Sequence, residues 1–116
     1  MKGSSCFYEI ERIEREGDIL KVRLCGEMDH HNASAVRVEL DELISKEHPR
    51  NVIMDMSGIG FMDSSGLGFV MGRFALTQRL GGEFVLENPG ERIMKIFELA
   101  GLSRMIRIEE KKEDKK

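Results

Sequence analysis

The sequence predicts a single α/β domain in which a β-hairpin opens a mixed sheet of four to five strands, with helices packed mainly on one face. Two observations carry this expectation. The first is a change of hydrophobic period along the chain, from two near the N-terminus to alternating short apolar runs and helical spacing afterwards. The second is length: 116 residues allow one two-layer core and no more.

The hairpin comes first. Residues 6–14 (CFYEIERIE) and 18–25 (DILKVRLC) are rich in β-branched and aromatic side chains, and Glu16-Gly17-Asp18 between them reads as the turn. In the second arm Leu20, Val22 and Leu24 alternate with Ile19, Lys21 and Arg23, so the first set faces the core. Beyond Gly26 the period lengthens. Val36, Leu40, Leu43 and Ile44 mark an amphipathic helix from Asn32 to about Lys46, with Asp29 or Asn32 as N-cap and Pro49 past its end. Asn51–Met56 is a short apolar run that predicts a buried strand, broken by Ser57-Gly58-Ile59-Gly60.

Helical spacing resumes from Ser64 to Leu80, followed by a strand over residues 82–87. Asn88, Pro89 and Glu91 then read as N-cap, first helical position and capping-box acid of a helix. Ile93, Ile96, Phe97 and Ala100 form its inner stripe, Gly101 ends it, and residues 104–108 are expected as an edge strand. The order β-β-α-β-α-β-α-β predicts a sheet that is parallel in its later part, with right-handed crossovers setting the helices against it. Residues 1–5 are expected to be a flexible extension, 6–108 the domain, and 109–116 a charged tail.

Composition narrows the function. A formal charge of -3, pI near 5.7 and no basic stripe interleaved with aromatics argue against a nucleic-acid binder. No apolar run has the length of a signal peptide core or a membrane span, so a cytoplasmic protein is expected. Cys6 and Cys25 are too few for a disulfide framework and read as reduced thiols in strands. Phosphate-loop, dinucleotide-binding and nucleophile-elbow motifs are missing.

Chemistry concentrates at Phe61-Met62-Asp63-Ser64-Ser65-Gly66-Leu67-Gly68, which joins a buried strand to a helix at the carboxyl edge of the sheet. Asp63 or a serine there can simply cap the helix. The same place suits a phosphoserine, because unpaired N–H groups and the positive end of the macrodipole face it. Gly66, Gly68 and Gly72 each cost the helix up to about 1 kcal/mol against alanine, which suggests close approach of another backbone or a partner. A helical wheel sets Leu67, Val70, Met71 and Phe74 toward the sheet, and Phe69, Leu76, Leu80 and Arg73 on the opposite face. That second stripe is either covered by flanking helices or exposed as a binding surface. His30 and His31 in Gly26-Glu27-Met28-Asp29-His30-His31 lack metal-ligand spacing, so no metal site is expected.

These two blocks, together with Gly72-Arg73 and Gly81-Gly82-Glu83, resemble the anti-sigma factor antagonists, the bacterial STAS domains, over roughly Phe7 to Ile108. The Asp29-His30-His31 block is most similar to the sporulation branch of that family. The resemblance implies a binding module without catalysis or cofactor, probed by a partner that is both anti-sigma factor and ATP-dependent serine kinase. It implies phosphorylation at Ser64, and a phosphatase that reverses it. The partner-binding set it implies, joined to the wheel above, is Asp29, Asp63, Ser64, Ser65, Gly66, Phe69 and Arg73. A monomer is expected, with no contact to nucleic acid or membrane. A general-stress antagonist, or a small nucleotide-binding domain using Asp29, Asp63 and Ser64, are the alternatives.

Overall fold

The computed structural model describes residues 8–28 and 33–110, and the side chains of 9–28 and 35–110. The elements are β1 (Tyr8–Glu16), β2 (Ile19–Met28), α1 (Ala33–Glu47), β3 (Asn51–Met62), α2 (Ser64–Arg79), β4 (Glu83–Glu87), α3 (Glu91–Ala100) and β5 (Arg107–Glu109), with a 3-10 turn at Leu102–Arg104. One five-stranded sheet runs in the order β1-β2-β3-β4-β5, antiparallel only between β1 and β2.

This monotonic order decides where the helices go. Each crossover advances one strand in the same direction, so the right-handed rule carries all three helices to one face. Leu20, Val22 and Leu24 of β2, Val52, Met54 and Met56 of β3, and Phe84 and Leu86 of β4 point to that face. They pack there with Val36, Leu40 and Ile44 of α1, Phe69 and Val70 of α2, and Ile93 and Phe97 of α3. The strand residues between them are largely polar and line the helix-free face. Lys21 pairs with the buried Glu87 at 3.3 Å, and Arg23 reaches Asp55 at 3.7 Å and Glu11 at 3.0 Å.

Several sequence expectations need correction. The strand expected to stop at Met56 continues to Met62. Ser57-Gly58-Ile59-Gly60 is where β3 bulges, not where it ends. Arg23 and Cys25 of β2 face Asp55 and Gly58, and Gly26 and Glu27 face Ile59 and Phe61, so β3 gains one residue at each step. Gly58 permits the first bulge: a Cβ there would lie 2.7 Å from the Leu24 carbonyl oxygen. Since β4 pairs only with Asn51–Asp55, β3 beyond Asp55 pairs with β2 alone. β2 keeps β1 on its other side as far as Gly26, so three strands continue past the end of β4.

The start of α3 also differs. Gly90 is its N-cap, without a side-chain cap bond, and Glu91 is the first helical residue. Asn88 has φ of 58° and donates its N–H to the Glu109 carbonyl, so its backbone ties the β4–β5 junction. Ile93 and Phe97 are buried as expected, whereas Ala100 is exposed. The last strand begins at Arg107 because the 3-10 turn takes up residues 102–104. Gly101 ends α3 in a left-handed conformation, as predicted.

Of the two thiols, Cys6 lies outside the described residues. Cys25 is a free, half-buried thiol on β2. Burial pushes its pKa up, Glu11 and Glu9 add to this, and Arg23 opposes it. It is therefore protonated and a poor nucleophile at neutral pH.

Candidate functional site

At the end of β3, beside the end of β2, the backbone turns directly into α2. Asp63 N–H donates to the Met28 carbonyl at 3.2 Å, holding the ends of β2 and β3 together. Asp63 is the N-cap of α2: its Oδ1 accepts the Ser65 N–H at 2.9 Å and the Ser65 hydroxyl at 2.6 Å. The Asp63 carbonyl accepts from Gly66 N–H at 2.9 Å. Of the two caps weighed from sequence, the aspartate is the one used. Replacing Asp63 by alanine is expected to cost about 1 kcal/mol in a denaturant titration, with asparagine retaining most of it.

The two serines are thereby placed differently. Ser65 is half-buried and its hydroxyl is held by Asp63. Ser64 is exposed, and no hydrogen bond among the described residues holds its hydroxyl. Sequence spacing alone treats the pair as equivalent; the capping geometry does not.

Gly66 sits below them, buried. A Cβ there would collide with Met62 Cγ and come within 2.7 Å of its Sδ and 3.3 Å of Met28 Sδ. Gly68 and Gly72 have nothing within 4 Å of the corresponding position. Close approach therefore explains only the first of the three glycines.

The expected second stripe of α2 is covered. Phe69 is 4% and Arg73 5% exposed, and Leu76 and Leu80 are half-buried. The Arg73 guanidinium lies 5.2 Å from the Phe69 ring centre and forms an ion pair with Asp41 of α1 at 2.7 Å, Nε to Oδ1. Both side chains belong to the α1–α2 interface, which removes Phe69 and Arg73 from the partner-binding surface expected of them. Asp29, His30 and His31 lie outside the described residues.

The true exposed face of α2 runs through Ser64, Gly68, Ala75 and Gln78, flanked by half-buried Leu67, Met71 and Gly72. From Ser64 to Gln78 the helix carries a single charge, on the buried Arg73. In a chain that is 34% charged, this uncharged face is unusual for an outer helix. By contrast α1 exposes Arg37, Glu39, Glu42, Lys46 and Glu47.

One feature escaped the sequence reading. A small cleft of about 130 Å³ on the helix-free face is lined by Arg12, Glu14, Lys21, Arg23 and Asp55. Its charges largely neutralise one another, and the pairing of β1 with β2 that assembles it was legible only as a hairpin. Among the described residues no three His, Cys, Asp or Glu side chains are grouped to hold a metal ion. No helix among them is long and apolar enough to cross a membrane.

Comparison with known proteins fits this geometry. The STAS domain family matches residues 11–115. The chain belongs to the anti-sigma factor antagonist (STAS domain) family. This STAS domain is 33% identical over 96 residues to the anti-sigma F factor antagonist of Paenibacillus polymyxa, covering 83% of this chain and 82% of that one. It is 34% identical over 100 residues to the anti-sigma-B factor antagonist of Bacillus subtilis, covering 86% and 89%. Among solved structures it is similar to the unphosphorylated anti-sigma factor antagonist SpoIIAA, with a TM-score of 0.75 and 30% identity over 92% of this chain and 90% of that one. The predicted fold class, a five-stranded mixed sheet opened by a hairpin, is the one this STAS domain adopts.

Proposed function

We propose that this STAS domain is the antagonist in a phosphorylation-controlled partner switch. Its unphosphorylated form binds an anti-sigma factor that is also a serine kinase, carrying ATP or ADP, and so releases the sigma factor. Phosphorylation of Ser64 by that kinase inactivates the antagonist, and a serine phosphatase restores it. The docking edge consists of Asp63, Ser64, Ser65 and the exposed face of α2, with Asp29, which follows β2 in the sequence. The protein acts in the cytoplasm as a monomer, without catalysis of its own.

The observation that carries the site assignment is the unequal placement of the two serines. A kinase needs a hydroxyl that can enter its active site, and Ser64 offers one while Ser65 is engaged with Asp63. Support for inactivation comes from charge. A phosphate adds roughly -1.5 to -2 charges, beside the Asp63 carboxylate and on a face with no exposed cation before Arg79. Incubation with the anti-sigma factor kinase and ATP should add one phosphate by intact mass, and Ser64→Ala should abolish the gain. Modification confined to Ser65 would refute the assignment.

Two branches fit the family relationship. The Asp29-His30-His31 block and the Paenibacillus relative, at 33% identity, favour a sporulation partner, and the Bacillus subtilis relative, at 34%, favours a general-stress partner. Parallel titrations with anti-sigma F and anti-sigma-B factors separate them: the cognate partner binds tighter.

A further inference from the structure

We infer that the Arg73–Asp41 ion pair positions the docking edge by fixing how α2 lies against α1, an inference that rests on the function proposed above. The geometry begins at the sheet. β2 and β3 are parallel neighbours that end side by side at Met28 and Met62, so α1 and α2 leave the same edge and run back in the same direction. The strand ends and the Asp63 cap fix where α2 starts. They leave open its tilt and its rotation about its own axis, and these decide where the outer face of Ser64, Gly68, Ala75 and Gln78 points. Arg73 supplies a second tether about 13 Å further along the helix. Its guanidinium grips Asp41 with two prongs, Nε to Oδ1 at 2.7 Å and Nη2 to Oδ2 at 3.3 Å. Nη1 donates to the Phe69 carbonyl at 3.3 Å, and Thr77 Oγ1 donates to the Arg73 carbonyl at 2.8 Å.

Stability does not account for an ion pair at this place. Arg73 is 5% exposed, and α1 and α2 otherwise bring apolar side chains to the core, Leu40 and Ile44 from one and Phe69 and Val70 from the other. Desolvating a buried pair offsets most of its attraction, and apolar residues of similar volume hold such a site as well or better. What the fork adds is direction. Apolar surfaces admit more than one register, whereas a bidentate guanidinium–carboxylate contact is met in one arrangement. Such a constraint has particular value in α2. Gly66, Gly68 and Gly72 lower its own helical preference. At Gly68 and Gly72 nothing lies within 4 Å of the Cβ position, so those turns gain no lateral packing there. Arg73 follows Gly72 directly and restores a lateral hold on the helix.

The test replaces the pair by apolar residues, Arg73→Met together with Asp41→Leu. It measures the melting temperature, the affinity for the ADP-loaded anti-sigma factor and the steady-state phosphorylation of Ser64 with ATP. The anti-sigma factor used is the one that binds tighter in the titrations above. The double variant is expected to melt within a few degrees of wild type or above it, and to bind at least about tenfold more weakly. Its KM for phosphorylation should rise in step while kcat stays within about twofold, because docking and not chemistry is disturbed. Arg73→Lys, which keeps the charge but loses the fork, should bind between the two. A double variant that binds like wild type would overturn the inference and leave the pair as packing, and so would a loss confined to kcat. Should the double variant not fold, Arg73→Lys decides alone: weaker binding with the wild-type circular dichroism upholds the inference, and unchanged binding overturns it. A folded wild-type chain that binds neither anti-sigma factor would instead overturn the proposed function, whatever the variants do.

Discussion

The form phosphorylated on Ser64 is expected to bind the anti-sigma factor at least about 100-fold more weakly than the unmodified chain, while melting within a few degrees of it. The magnitude follows from desolvation. A charge buried in an interface without a partner costs about 3–5 kcal/mol, or roughly 10² to nearly 10⁴ in affinity. The outer face of α2 offers no cation to lower that cost, and the Ser65 and Gly66 N–H groups at the start of the helix already donate to Asp63. The one charge between Ser64 and Gln78 is Arg73, buried and paired with Asp41 on α1. The nearest acid, Asp63, is already the N-cap, and a phosphate beside it adds like charge. Fold stability should change little, because Ser64 is exposed and the cap bonds run through Asp63 and Ser65. Titration calorimetry measures the first quantity and thermal melts the second. Ser64→Asp, with one charge, should fall between the two forms. A phosphorylated chain that binds as well as the unmodified one would show that this face is not where the partner docks.

Much of this architecture was legible in sequence because it is periodic. The hairpin, the inward set Leu20, Val22 and Leu24, and the helix stripe Val36, Leu40 and Ile44 all follow from periods of two and 3.6. The extension of β3 was not, because a bulge shifts the alternation by one and disguises a continuing strand as a break. Ile59 and Met62 are both buried although three residues apart, which a simple period of two forbids. Asn88-Pro89-Gly90-Glu91 misled for another reason. It holds overlapping helix-start signals, and the pairing of Asn88 with Glu109 chose between them from 21 positions away.

At the site, the strand-to-helix junction and Ser64 could be read locally. The inequality of Ser64 and Ser65 could not, since it depends on which hydroxyl turns toward Asp63. Arg73 shows the limit most clearly. A wheel gives its angle but not what covers that angle, and a charge suggests solvent. The available signal was Asp41, an acid beside Leu40 on the inner side of α1, but nothing in spacing joins positions 32 residues apart.

Gly66→Ala and Gly68→Ala should move stability in opposite directions. In a helix interior alanine is better than glycine by about 1 kcal/mol, other things equal. At Gly68 they are equal: the site is exposed and nothing lies within 4 Å of the added methyl, so a gain of up to about 1 kcal/mol is expected. At Gly66 the methyl meets Met62, itself 3% exposed and packed in the core with Met28 at 1%. Methionine is adaptable, yet overpacking a filled site costs typically about 1–3 kcal/mol, so the net effect should be a loss of up to about 2 kcal/mol. For a domain of this size that lowers the melting temperature by roughly 4–8 °C per kcal/mol. The consequence reaches function, because Met28 and Met62 end the two strands that carry Asp63. Pushing them aside shifts the start of α2, and with it Ser64, so Gly66→Ala should also weaken binding of the anti-sigma factor where Gly68→Ala, if the helix face tolerates a methyl, weakens it less. Paired melts and titrations of the two variants separate packing beneath the switch from crowding on its surface. Equal stabilisation by both would show that Met62 yields freely, and that the tight contact under Ser64 does not set the position of the helix.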